Sequence, residues 1–274
     1  MLFLYHCRKF FHLAMNHDNC LNCETPLAGK FCSECGQKSD THRITFKHFI
    51  MHDVLHGVWH FEKGMLFTAK EALLRPGKAA LDYIGGKRIR YYNVFYFILL
   101  LLGLNFFLNH YYDQISAEYY SISNTDTHIK NGFEKFISSN AKSIILSFVP
   151  FFALNSLILF RRKKFNLSEH FIIAGITFLG ILILVTFSNA SGFLNFIKYL
   201  YFISILDGYL TPLVIIAYTI RSYYSTFSDS YTKFGFSLRM FLFLLFLAIE
   251  FILLMLIIFG YVTDWKSGSF SYHS

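Results

Sequence analysis

The chain has 274 residues, of which 54% are hydrophobic and 20% aromatic, whereas 15% carry a charge. A soluble domain normally has about a quarter of its residues charged, so this composition excludes an ordinary soluble fold. The net charge of +8 could suit nucleic acid, but the basic residues flank apolar stretches. We therefore expect the lipid bilayer, with its anionic headgroups, as the charged partner and no nucleic acid.

Residues 1–14 precede Met15 and are predicted to be a loose tail or an extension from a mis-assigned start codon. Their apolar run is too short for a cleavable signal peptide, and Arg8 and Lys9 follow it instead of preceding it. Membrane insertion is therefore expected to use internal segments.

Two CxxC pairs dominate residues 15–42. The four cysteines, spaced C-x2-C-x8-C-x2-C, are Cys20, Cys23, Cys32 and Cys35. Each pair can form a tight turn that offers two thiolates to one tetrahedral ion, and four sulfur ligands suit zinc best. Gly36 follows the last ligand, where a positive φ turns backbone amides toward the sulfurs. With no coordination position left for substrate, we predict a structural zinc in a zinc-ribbon-like module; an iron–sulfur centre or unligated thiols are the alternatives.

Residues 43–92 are predicted to form cytoplasmic or interfacial amphipathic helices. Apolar residues recur at three- or four-residue spacing over Thr45–Phe61. Four histidines also recur at every fourth position there: His48, His52, His56 and His60. Neighbouring members of this stripe could bind a second metal ion, whereas the alternative is that they are interfacial or packing side chains.

The same segment ends in helix breakers and basic residues. Pro76 and Gly77 separate one helix from a short one over Lys78–Ile84, and Gly85-Gly86 breaks the chain again. The basic residues are Arg75, Lys78, Lys87, Arg88 and Arg90. They could anchor the topology of the chain, or they could form a site for anionic lipid or phosphate.

The run from Cys20 to Tyr92 resembles a known family. The motifs that carry the resemblance are Cys-Leu-Asn-Cys, Phe31-Cys32-Ser33-Glu34-Cys35-Gly36-Gln37, Leu74-Arg75-Pro76-Gly77 and Tyr83-Ile84-Gly85-Gly86-Lys87-Arg88. Together they are similar to DUF3667, a bacterial family of membrane proteins without an assigned activity. The resemblance implies a zinc-ribbon-like element followed by several membrane helices, and it implies no reaction.

Residues 93–263 are predicted to form about five transmembrane helices, followed by a C-terminal tail over 264–274. The apolar stretches are 93–109, 143–160, 171–187, 196–220 and 238–262. With the N-terminus inside, 20 Lys and Arg residues lie on the cytoplasmic side and five on the other. This asymmetry predicts a cytoplasmic N-terminus and an external C-terminus. The resemblance to DUF3667 implies that the membrane is a bacterial inner membrane.

Two carboxylates fall inside the predicted spans. Asp207 and Glu250 are expected to face the protein interior, because an ionised group in the bilayer is costly. Asp207-Gly208 and Thr211-Pro212 are expected to interrupt the fourth span, as in transporters with broken helices. The alternative is a packing hydrogen bond to a residue such as Asn155 or Ser156.

Three functions follow from these features. The cysteine module favours a membrane-anchored interaction or scaffold protein that recruits an unknown cytoplasmic partner, and this is the function we predict. Asp207 and Glu250 would instead suit a transporter of protons or small solutes, with oligomerisation supplying further surface. The histidine stripe would suit a membrane metalloenzyme, although no phosphate-binding loop, GxSxG or HExxH motif supports an enzyme.

Overall fold

The computed structural model of the chain describes residues 19–39, 64–119 and 132–263. Within these ranges, the regular elements are helices, apart from two isolated β-bridges near the cysteines. The predictions for the tail 1–14, for Thr45–Phe61 with its four histidines and for 264–274 lie outside the described residues.

Eight α-helices make up the described membrane part. They are α1 (Met65–Leu74), α2 (Pro76–Ile84), α3 (Val94–Tyr119), α4 (Gly132–Leu146), α5 (Phe148–Leu159), α6 (Leu167–Gly192), α7 (Tyr201–Phe227) and α8 (Lys233–Thr263). Five stretches are long and apolar enough to cross a membrane: α3, Ser139–Leu159 from α4 and α5, and the stretches that contain α6, α7 and α8. The prediction of an all-α membrane protein with about five spans is confirmed.

Several helices extend beyond the apolar stretches that predict them. Helix α3 continues past Asn109 to Tyr119, where His110 and Gln114 form a side-chain hydrogen bond of 3.1 Å one turn apart. Hydropathy marks the part of a helix that prefers lipid, but backbone hydrogen bonds can continue into a polar segment. The polar residues that follow the predicted span 93–109 therefore continue the helix to Tyr119.

The prediction that the fourth span is interrupted is wrong. Helix α7 is continuous from Tyr201 to Phe227 and includes Pro212. Proline removes one backbone donor and crowds the carbonyl four residues earlier, which here belongs to Gly208. Thr211 Oγ1 lies 3.1 Å from Asp207 Oδ1 and links the same turn through side chains. Asp207 consequently lies in the second turn of α7, toward the start of the helix.

Helix α6 is the centre of the bundle. In its most apolar stretch 67% of the residues are buried, against 11% in the corresponding stretches of α7 and α8. Small residues allow this close packing: Phe95 of α3 lies against Gly175, and the Tyr218 hydroxyl of α7 lies against Gly180. The hydroxyls of Thr177 and Ser222 also meet at 2.7 Å between α6 and α7. Helices α3, α5 and α7 therefore pack around α6, whereas α8 packs mainly on α5 and α4.

The short helices α1 and α2 pack onto α6 and α7. The last carbonyls of a helix have no partner within the helix, and side chains of α7 supply donors for two of them. The Tyr218 hydroxyl donates to Ala72 O at 2.5 Å, and the Arg221 guanidinium donates to Leu74 O at 2.5 Å. The segment before the first span is thus part of the helical domain.

Gly77 sets the approach of α2 to α7. A Cβ atom built on Gly77 would lie 2.8 Å from the backbone of both Ser225 and Thr226. An alanine favours helix by up to about 1 kcal/mol over glycine, whereas overpacking costs about 1–3 kcal/mol. Backbone atoms cannot move aside at low cost. The cost of overpacking at Gly77 should therefore exceed the gain in helix propensity from alanine.

We therefore predict that Gly77→Ala lowers the apparent melting temperature of the protein purified in detergent. Gly103→Ala is the matched control, since no described heavy atom lies within 4 Å of its added Cβ, and it should leave the melting temperature unchanged or higher. Equal melting temperatures for the two variants would contradict the tight contact at Gly77.

Candidate metal centre and its contact with the helical domain

The four cysteine sulfurs form one compact cluster. All four Sγ atoms lie within 4.8 Å of one another. Three pairs are 3.5 Å apart: Cys20 with Cys35, and Cys23 with both Cys32 and Cys35. A tetrahedral thiolate site with metal–sulfur bonds of about 2.3 Å has sulfur atoms about 3.8 Å apart. The cluster therefore fits a single tetrahedral metal ion with four cysteine ligands.

The two CxxC pairs lie in nearly identical backbone turns. In the first turn, Cys20 N donates to Thr25 O and Glu24 N donates to Cys20 O, both at 2.8 Å. In the second turn, Cys32 N donates to Gln37 O at 2.8 Å and Gly36 N donates to Cys32 O at 2.9 Å. Isolated bridges close both turns at equivalent positions, Asn19 with Pro26 and Phe31 with Lys38. The module is thus a repeat of one metal-binding turn.

The repeat explains an unusual backbone conformation. Gly36 has a φ of 73°, as the sequence predicts, and Glu24 at the equivalent position has a φ of 65°. A positive φ is uncommon for a residue with a side chain. The sequence contains a signal for Glu24, because it follows Cys23 as Gly36 follows Cys35.

The thiols differ in acidity. Burial raises the pKa of the Cys20 thiol to about 11. By contrast, the hydrogen bond of Cys23 Sγ with the Thr25 hydroxyl, at 3.3 Å, lowers the pKa of Cys23 to about 6. Since a thiolate is the metal-binding form, Cys23 loses its proton more readily than Cys20, and a bound ion would supply the charge that favours deprotonation of the buried thiol.

One arginine attaches this module to the helical domain. Asn22 lies between the two cysteines of the first turn, and its backbone N–H points toward Cys20 Sγ at 3.4 Å. Arg90 Nε donates to Asn22 Oδ1 and Arg90 Nη2 donates to Asn22 O, both at 2.7 Å. Such two-point contacts from a guanidinium fix orientation as well as distance. The metal-binding turn is therefore held directly by the segment before α3.

The Arg90 contact continues into the helices. Two residues after Arg90, Tyr92 N donates to Thr68 Oγ1 at 2.7 Å, and Thr68 Oγ1 donates to Gly64 O at 2.8 Å. Between them, Tyr91 is buried, and burial raises the pKa of its hydroxyl. These contacts join the module to the start of both α1 and α3.

The other predicted basic residues have separate partners. Arg75 forms an ion pair with Glu71, Lys87 pairs with Asp82 at 3.2 Å, and Arg88 Nε donates to Tyr83 O at 3.4 Å. Arg75 and Lys78 line one cleft together with Arg221, a residue that sequence reasoning missed. Arg221 is far from Arg75 and Lys78 in the chain. The sequence signal for it was its position directly after the predicted span 196–220, on the side predicted to be cytoplasmic.

The two intramembrane carboxylates both accept hydrogen bonds. Asn155 Nδ2 donates to Glu250 Oε2 at 2.8 Å, which is the contact that the packing interpretation expects. Asp207 accepts hydrogen bonds from Ser188 at 2.6 Å and Ser191 at 2.8 Å, besides Thr211. These contacts tie α5 to α8 and α6 to α7, so both carboxylates have a packing role in the bundle.

His170 is a buried histidine to which the sequence analysis assigned no role. His170 and Ser156 are fully buried, and the imidazole Nδ1 lies 2.7 Å from the serine hydroxyl oxygen. Phe227 stacks on the His170 ring at 6.0 Å. A serine–histidine pair that is closed to solvent cannot reach a substrate, so this pair contributes to packing between α5 and α6.

We predict that Arg90→Ala detaches the cysteine module without removing its metal. Each hydrogen bond from a charged donor contributes about 1.5–3 kcal/mol, so the loss should raise amide hydrogen exchange across residues 19–39. Arg90→Lys retains the charge but cannot form both bonds and should behave in the same direction. Unchanged exchange in Arg90→Ala, at unchanged metal content, would contradict the attachment.

Comparison with known families gives one match. Residues 62–106 match DUF3667, described as a protein of unknown function, and this segment contains α1, α2, Arg90 and the first half of α3. The cysteine module lies before the matched residues. No curated protein and no solved structure matches the chain. The resemblance to DUF3667 found in the sequence is thereby confirmed over residues 62–106, in a chain with five helices long and apolar enough to cross a membrane.

Proposed function

We propose that this protein is a membrane-anchored interaction module, in which a structural zinc site presents a protein-binding surface beside the membrane. The observation that carries the proposal is the Arg90–Asn22 contact, because it holds the first metal-binding turn against the helical domain. The second turn carries Phe31, whose side chain is 63% exposed. A module fixed on one side and apolar on another is suited to binding a partner.

Zinc is the ion that the site suits best. Four thiolates in tetrahedral spacing match structural zinc sites, and such sites leave no open position for water or substrate. The module contains few apolar side chains, so metal binding would supply much of its folding free energy. In this proposal the zinc stabilises the folded module and takes part in no reaction.

We place the module on the cytoplasmic side of a bacterial inner membrane. The basic residues between spans lie at the same end of the bundle as α1 and α2: Lys163 Nζ donates to Thr226 O at 2.6 Å, and Arg221 donates to Leu74 O. Basic segments resist translocation, so this end should face the cytoplasm. With five spans, the C-terminus would then lie outside.

The expected partner is a cytoplasmic protein with an apolar contact site. Exposed polar residues lie near Phe31 in the sequence: Lys30, Ser33 and Glu34. An exposed aromatic residue with a polar rim resembles the anchor of a protein interface. A single anchor suits a weak, reversible contact, which fits recruitment to the membrane.

Transport and metal-dependent catalysis have weaker support. Helix α7 is unbroken, and Asp207 and Glu250 are each satisfied by side-chain donors, so the features that suggest a transport site serve packing. The histidine stripe lies outside the described residues. Its role is decided by the metal measurement below.

We predict one zinc per chain in the protein purified in detergent. The double variant Cys20→Ser/Cys23→Ser should lose this zinc, whereas His52→Ala/His56→Ala should retain it, because the thiolates complete the coordination. Metal content is measured by mass spectrometry on intact, correctly folded protein. A second metal, or iron that disappears with the histidines, would instead support a membrane metalloenzyme.

We predict that Phe31→Ser abolishes recruitment of the cytoplasmic partner and leaves the zinc content at one per chain. Cys32→Ser should abolish recruitment by unfolding the module, while the spans stay inserted. The measurement is quantitative co-purification from cells by mass spectrometry, with Leu66→Ser as the control, since Leu66 is an exposed apolar residue on α1. If Phe31→Ser and Leu66→Ser retain the same set of proteins, the Phe31 surface is not the binding site.

A further inference from the structure

A cleft separates the α1–α2 turn from the end of α7. It has a volume of about 390 Å³, within the range of about 300–1,000 Å³ found for small-ligand sites. Its lining residues are Leu74, Arg75, Pro76, Lys78, Leu81, Asp82, Arg221 and Ser225. The lining thus combines basic side chains with the exposed Leu74 and the half-buried Leu81.

The charge of the cleft is unbalanced. Arg75, Lys78 and Arg221 face one carboxylate, Asp82. The ion-pair partners of Arg75 and Asp82, which are Glu71 and Lys87, leave the same excess of two positive charges. Lys78 is exposed and forms no ion pair with the described residues. Two positive charges of the cleft are therefore not balanced by carboxylates that line it or pair with its lining residues.

The basic side chains are held in place by the fold. Arg221 donates to Leu74 O, Arg75 pairs with Glu71, and Gly77 brings α2 into backbone contact with Ser225 of α7. These contacts fix the distance between the helix that carries Lys78 and the helix that carries Arg221. A preorganised group of cations loses little freedom when it binds an anion.

The position of the cleft indicates where the ligand comes from. Arg221 directly follows the apolar part of α7, and the Leu74 side chain beside it is 47% exposed. A phosphate-bearing lipid headgroup presents an anion next to glycerol and acyl carbons, which matches cations beside leucines. A free phosphate ester would use the cations alone.

We propose that this cleft binds a phosphate group, contributed by an anionic lipid headgroup of the inner leaflet, through Lys78, Arg75 and Arg221. Arg75 and Arg221 can each offer guanidinium N–H groups that their protein contacts leave available, and Lys78 offers its whole ammonium group. The site is independent of the cysteine module and does not require the zinc proposed above.

The test uses the full-length protein in detergent and native mass spectrometry, with phosphatidylglycerol and phosphatidylcholine titrated separately. Lys78→Ala should weaken phosphatidylglycerol binding about fivefold, the effect expected for one basic residue at an anionic membrane surface. Lys78→Arg should restore it. Lys70→Ala removes another exposed lysine, which lies on α1 and does not line the cleft, and it should have no effect.

Glycerol 3-phosphate distinguishes the two sources of phosphate. If it binds in a Lys78-dependent manner while phosphatidylglycerol does not, the cleft takes a soluble phosphate ester and the lipid assignment is wrong. Equal binding of the two lipids, or equal loss in Lys78→Ala and Lys70→Ala, would show general surface attraction and overturn the site. Because Lys78 has no ion-pair partner among the described residues, its substitution should leave the fold intact.

Discussion

The burial of α6 on nearly all sides is the constraint on which the rest of the structure depends. A span that is buried on nearly all sides needs small residues where its neighbours come closest, and Gly175 and Gly180 meet side chains of α3 and α7 at such points. In a bilayer, helix association gains little from the hydrophobic effect and relies on close packing and hydrogen bonds. The hydroxyl contact between Thr177 and Ser222 provides such a bond in the same interface. The positions of α1 and α2, and hence of the cleft and the cysteine module, follow from how α7 packs on this helix.

Polar residues join the elements in pairs that are far apart in sequence. Arg90 reaches Asn22, Tyr218 reaches the end of α1, and Asn155 reaches Glu250. The Tyr218 and Asn155 contacts satisfy groups inside the helical bundle that would be costly to leave unpaired, so removing one partner costs more than the contact itself contributes. This explains why intramembrane carboxylates can be structural in a protein whose composition at first suggests transport. The Arg90–Asn22 contact gives the cysteine module a defined position on the helical domain.

The metal module and the basic cleft lie on the same predicted cytoplasmic face, and both involve the segment between residues 64 and 92. This segment supplies Arg90 to the module and Arg75 and Lys78 to the cleft. Arg90 lies beside the start of α1, whereas the cleft lies at the end of that helix. The proposed protein-binding and lipid-binding sites would therefore be separate, and neither requires chemistry at the metal.

The sequence by itself determined the membrane class, the number of spans and the four metal-ligand candidates, because hydropathy, basic loops and CxxC spacing are local signals. Gly36 was likewise predictable, since a tight metal-binding turn needs a positive φ after its last ligand. The tertiary structure alone decided that α7 continues through Pro212, that Glu250 meets Asn155 and that Arg221 joins Arg75 and Lys78 at one cleft. These outcomes depend on contacts between residues distant in the chain, and no local pattern of residue types specifies which distant helices will be neighbours.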